Sequence, residues 1–120
     1  METKTHLVHD AKIAEVISDG IIITTPNDGL ELMVNLYYQD FDKIILHAKN
    51  ISSAFFDLKT GIAGEILQKF STYRVRLAIV GDFNLYTSKS LKDFIYESNK
   101  LKQINFVDTT TEAINALSTK

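Results

Sequence analysis

Phe55-Phe56-Asp57-Leu58-Lys59-Thr60-Gly61-Ile62-Ala63-Gly64-Glu65-Ile66-Leu67-Gln68-Lys69-Phe70 is the stretch on which the fold turns. It reads as a polar turn feeding an amphipathic helix. Ile62, Ile66, Leu67 and Phe70 recur at helical spacing and supply one apolar face. Asp57, Lys59 and Thr60 fall at the helix entrance, where the first backbone N–H groups have no helical partners. Gly61-Ile62-Ala63-Gly64 reads as a place of close helix packing.

On either side of this stretch stand strands. Lys43-Ile44-Ile45-Leu46-His47 is an apolar run with a polar end, which suits a strand covered on both faces. Arg74 to Val80 alternates in its first half and is apolar in its second, and Gly81-Asp82 ends it. Further on, Thr87-Ser88-Lys89-Ser90 leads into a helix with apolar positions Leu91, Phe94 and Ile95, ended by Asn99-Lys100. Ile104 to Val107 is a last short strand. Thr109 and Glu112 have capping-box spacing ahead of a final helix that buries Ala113, Ile114 and Leu117.

Toward the N-terminus, His6 to His9 is a short edge strand and Lys12 to Ile17 a second strand. Asp19-Gly20 signals a turn before the β-branched run Ile21-Ile22-Ile23. Thr25 then caps a helix, Pro26 fits its first position and Asp28 suits its positive end. Leu30, Met33, Val34 and Tyr37 form the stripe of that helix, widened by Leu32 and Leu36. Strands alternating with helices predict an α/β fold with right-handed crossovers. The sheet is mixed and mostly parallel, with an antiparallel N-terminal hairpin and about four helices, in one domain over residues 1–120.

Composition narrows the function classes. The chain has 120 residues, 45% hydrophobic and 23% charged, as in an ordinary globular domain. A net charge of -2 gives no basic field for nucleic acid. There is no cysteine, so disulfides, thiol nucleophiles and Cys-ligated metals are excluded. No apolar run reaches the roughly 18–20 residues that span a bilayer, and residues 1–6 lack the core of a secretory signal. The expected setting is the cytoplasm, without membrane, nucleic acid or cofactor.

The pattern resembles the STAS domains, named for sulfate transporters and anti-sigma factor antagonists. Their hallmark is an Asp-Ser-Ser-Gly-Leu-type turn before the second helix. Here Asp57 stands near that turn, and Lys59-Thr60-Gly61-Ile62 occupies the Ser-Ser-Gly-Leu positions, with Leu58 as an extra residue. Lys59 takes the place of the family's phosphorylated serine, and Thr60 matches the second serine. The resemblance implies a regulatory, partner-binding fold.

More closely, the chain resembles a bacterial family of small proteins known only as a domain of unknown function. That likeness rests on Ile44 to His47, Phe55 to Gly61, Gly64 to Phe70, Tyr73 to Phe83 and Phe94 to Asn99. It implies no activity.

Two sets of residues are candidate sites. Asp57, Lys59, Thr60, Asp82 and Tyr86 form the first, as a docking place for an unidentified protein partner around Asp57 to Gly61 and the loop Gly81 to Tyr86. Thr60 is its candidate phosphosite, favoured by the helix dipole and Lys59. The plainer reading is that Asp57 caps and Lys59 is solvated. His47, Asp57 and Asp82 form the second set, at strand ends where open α/β sheets bind ligands. They suit a small-ligand or nucleotide site, or an enzyme.

His6, His9 and His47 have poor spacing for a shared metal, because His6 and His9 point to opposite strand faces. Lys89, Lys92, Lys100 and Lys102 read as a solvated face diluted by Asp93 and Glu97. The leading expectation is therefore a non-enzymatic regulatory or interaction module. A homodimer through the N-terminal edge strands is a further alternative.

Overall fold

The computed structural model describes residues 1–119. Five strands form one sheet in the order β1-β2-β3-β4-β5. They are β1 (Glu2–Val8), β2 (Ala11–Ile17), β3 (Lys43–His47), β4 (Arg76–Val80) and β5 (Ile104–Val107). The β1–β2 pair is antiparallel and the other neighbours are parallel. Four α-helices complete the chain: α1 (Pro26–Tyr37), α2 (Ile62–Thr72), α3 (Lys89–Leu101) and α4 (Thr110–Ser118). The expected mixed sheet with an N-terminal hairpin is the architecture found.

Strand order here equals chain order. Crossovers of one hand that all step in the same direction put their helices on the same face. Accordingly Met33 and Leu36 of α1, Ile66 and Phe70 of α2 and Leu91 of α3 share one core with Ala14, Ile44, Leu46, Leu77 and Ile79. The opposite face carries a smaller core, where Ala113 and Leu117 of α4 meet Ile13, Ile45 and Ala78. Odd and even strand residues thus face different helices, as strand alternation requires. No described helix is long and apolar enough to cross a membrane.

Several elements start from the cues in the sequence. Thr25 Oγ1 accepts from Asp28 N–H at 3.2 Å, while Asp28 Oδ2 accepts from the N–H groups of Thr24 and Thr25 at 2.9 and 3.0 Å. Those two bonds hold the Asp28 carboxyl below its usual range. Thr109 Oγ1 likewise accepts from Glu112 N–H at 3.1 Å.

Other expectations need correction. Ile21 to Ile23 is no strand; Ile23 makes a lone parallel bridge to Ile51. The clip there is Asn50, whose Nδ2 donates to the carbonyls of Ser18 and Gly20 at 2.8 and 2.9 Å. β1 runs from Glu2, so the edge strand is longer than His6 to His9. The β4 strand starts at Arg76, because Arg74 adopts a left-handed φ of 58°. That conformation lets Val75 N–H reach Phe70 C=O at 2.9 Å and terminate α2. Close helix packing is not at Gly64, which faces open space, but at Gly29, where an added Cβ would sit 3.0 Å from Ile66.

Candidate functional site: the carboxyl ends of β3 and β4

The α2 helix begins at Ile62, so Asp57, Lys59 and Thr60 lie one turn ahead of it. Leu58–Thr60 is a single 3₁₀ turn, and Gly61, at φ 76°, reverses the chain into the helix. Asp57 Oδ1 accepts from Lys59 N–H at 3.2 Å. Thr60 Oγ1 donates to the carbonyls of Ala54 (2.8 Å) and Asp57 (2.9 Å), sharing its one hydrogen between them, and accepts from Ile62 N–H at 3.2 Å. The hydroxyl expected as a phosphate acceptor is thus the knot that ties this turn to α2. Lys59 is exposed, and its ammonium has no partner among the described residues.

The loop after β4 repeats the device. Asp82 sits at φ -97° and ψ 92°, close to the -94° and 100° of Asp57, and starts the 3₁₀ turn Phe83–Leu85. Its carboxylate accepts from Asn84 N–H at 3.2 Å. Phe56, just before Asp57, stacks on Tyr86, just after Leu85, with centroids 5.1 Å apart and planes at 28°. Phe83 lies 6.1 Å from Phe56 and packs edge-on to Phe106 at 5.3 Å. This aromatic stack joins the two loops, and burial raises the Tyr86 pKa. Leu85 beside it is 77% exposed.

His47 and Val80 are register partners at the ends of β3 and β4. A cleft of about 350 Å³ opens there, lined by His47, Lys49, Asp82, Leu85 and Tyr86 among others. His47 and Asp82 therefore do meet in one cleft, but Asp57 does not line it. Behind it, Gly81 lies against Ala48 so tightly that a Cβ would fall 2.6 Å from the Ala48 methyl.

Sequence reading missed the partner of His47. Glu15 is only 7% exposed and occupies the same sheet face as Ile13 and Ile45. Its Oε1 lies 2.8 Å from His6 Nε2 and its Oε2 2.7 Å from His47 Nε2. An ionised carboxylate only accepts, so both Nε2 atoms carry hydrogens. Burial pushes the Glu15 pKa up, but the two imidazole hydrogen bonds and any charge they carry outweigh it, and the net shift is downward. The triad stitches β1, β2 and β3 together. A signal for it stood in the sequence: Glu15 has the parity of Ile13 and Ile17, a charge on a buried face.

Other groups disperse. His9 turns the β1–β2 hairpin at φ 56° and lines a different cavity, of about 590 Å³, at the opposite end of the sheet. Arg76 in that cavity is consumed in bonds to the carbonyls of Lys102, Ala116, Leu117 and Thr119. Lys89 pairs with Asp93 at 3.0 Å and Lys100 lies over Tyr96, leaving α3 a mixed, solvated face. No three His, Asp or Glu among the described residues are arranged to hold a metal.

The family model described as a domain of unknown function (DUF4180) matches residues 8–117, and the chain belongs to that family. No curated protein matches it. Among solved structures, it is similar to a Thermotoga maritima protein described as a candidate anti-sigma factor antagonist. Identity is 15% and the TM-score 0.47, over 98% of this chain and 95% of that one.

Proposed function

We propose that this DUF4180 member is a non-enzymatic regulatory module that binds a protein partner on the paired loops 57–61 and 81–86. The observation that carries the reading is the Phe56–Tyr86 stack. It holds two Asp-capped turns in fixed relation and leaves Leu85 outside as an exposed apolar residue, with Asp57, Lys59 and Asp82 on the exposed parts of the same loops. A prebuilt apolar point with polar surroundings is the anatomy of a protein contact. Prior order also lowers the entropy lost on docking. The strand order argues the same way, since its parallel part has no reversal of direction, the place where open α/β sheets bind ligands.

The test is capture from native lysate with the intact chain and with a Lys59→Ala/Leu85→Ala variant, both checked for folding by circular dichroism. Asp57→Asn joins the set because it removes charge but keeps the capping oxygen. A protein retained by the intact chain and lost from the folded double variant supports this surface. Equal capture by both sinks it.

A second reading rests on the cleft beside His47, which Glu15 holds in place and which Asp82, Lys49 and Tyr86 share. It would be a small-ligand site. A thermal-shift screen in which a hit loses its effect on His47→Ala would favour it over the interaction surface.

A further inference from the structure

The two edges of the sheet are treated differently. At β5 a side chain caps Phe106 on the outward side of the strand: Asn99 Oδ1 accepts from Phe106 N–H at 2.7 Å, and Asn99 Nδ2 donates to Phe106 C=O at 3.2 Å. The amide of α3 thereby imitates a neighbouring strand. At the other edge β1 offers seven residues with no proline and an unbroken register of seven pairs to β2. Among the described residues nothing pairs with its outer side. Such an edge is a template for another strand.

The hairpin fixes which groups are free. Val8 pairs with Ala11 across the two-residue turn His9-Asp10, so Val8 and Ala11 exchange the closing hydrogen bonds. Alternation then turns the N–H and C=O of His6, Lys4 and Glu2 toward β2, and those of Leu7, Thr5 and Thr3 outward. That outward set is symmetric about Thr5.

We infer that two copies of the chain pair through β1, antiparallel across a two-fold axis at Thr5. Thr5 then faces Thr5 of the second copy, and Thr3 faces Leu7 in both directions. Each facing pair exchanges two N–H···O bonds, because every residue in it has its free groups outward. The same geometry covers Leu7, which is 75% exposed in the single chain, with Thr3 and Thr5 of the other copy. A second copy suits this edge because an axis at Thr5 gives all three outward residues of both strands a facing partner, and Lys4 then lies opposite His6 of the second copy, on the face that carries the Glu15 carboxylate. The two five-stranded sheets become one continuous sheet, and the loops at 57–61 and 81–86 lie on other elements.

Sedimentation velocity on the full chain is the test. The expected result is a dimer for the natural sequence. Thr5→Asp, and separately Thr5→Lys, should each give a monomer, because like charges face each other at the axis. An equal mixture of the two should regain a dimer, since opposite charges then meet there. Thr5→Pro removes an outward N–H without breaking the β1–β2 ladder, and should weaken dimerisation at least about ten-fold. It serves if the charged variants do not fold. A natural chain that stays monomeric at every concentration, or a dimer indifferent to folded Thr5 variants, overturns the inference.

Discussion

Glu15 accepts a hydrogen bond from His47 at 2.7 Å across 32 positions of sequence, with His6 on its other oxygen. A carboxylate on a buried sheet face would otherwise be costly. Removing it should leave two half-buried imidazoles without an acceptor. Glu15→Gln is expected to lower unfolding free energy by about 1–3 kcal/mol, and Glu15→Ala by at least as much. Urea unfolding at neutral pH measures both. His6→Ala and His47→Ala combined with Glu15→Gln should cost less than the sum of the single changes, because the groups act together.

The same triad sets a pH dependence. The folded Glu15 pKa lies below its ordinary value of 4.5. Its contribution to stability is therefore present above pH 4.5 and is lost as pH falls through the folded value. In Glu15→Gln that part of the acid dependence should disappear. Stability curves of the natural chain and the variant should converge as pH drops below 4.5. A gap that stays constant down to acid unfolding would refute the assignment.

Two glycines should respond with opposite sign. Gly64 lies inside α2 with no atom within 4 Å of an added Cβ, so Gly64→Ala should gain about 0.5–1 kcal/mol from backbone entropy. Gly29 in α1 meets three Ile66 side-chain carbons at 3.0–3.1 Å. Gly29→Ala should push α1 from α2 and cost about 1–3 kcal/mol. Thermal melts of both variants settle the contrast.

That contrast marks what the sequence could reveal. Elements with strong local codes were legible: the Thr25 and Thr109 caps, the apolar β3 run, and β5 at residues 104–107. Features made by tertiary approach were not. Gly29 and Gly64 look alike in a helix, and only the position of Ile66 tells them apart. Arg74 reads as part of β4 because alternation gives no sign that a non-glycine residue turns left-handed to end a helix. In the loops 57–61 and 81–86, residue type alone does not show which groups their own turns occupy. Asp57 caps its turn, as its plainer reading has it, whereas the Thr60 hydroxyl, expected as a phosphate acceptor, and the Asp82 carboxylate, expected as a docking or ligand group, also spend hydrogen-bonding capacity on their own turns. The sequence groups His47 with the acidic residues Asp57 and Asp82 near strand ends, whereas its partner in the structure is Glu15 within β2.

Thr60 gives a direct check that its hydroxyl serves its own turn. Thr60→Val keeps shape but removes the hydroxyl that serves the Ala54 and Asp57 carbonyls and the Ile62 N–H. The expected cost is about 1–2 kcal/mol, with Thr60→Ser close to neutral. If Thr60 were instead a free surface hydroxyl, Thr60→Val would leave chemical denaturation unchanged.

Asn99 should reveal itself through both stability and aggregation. Its amide makes two bonds to the Phe106 backbone, and Asn99→Ala deletes both. The loss should be about 1–2 kcal/mol. It should also free the Phe106 N–H and C=O, widening the open edge of β5. Asn99→Asp keeps the acceptor for Phe106 N–H but turns the donor into a second acceptor facing Phe106 C=O, so it should also destabilise while adding a charge that resists edge association. Light scattering on heating should therefore rise for Asn99→Ala and stay low for Asn99→Asp, although both unfold earlier. Equal scattering from the two would mean that the side chain supports the strand without guarding its edge.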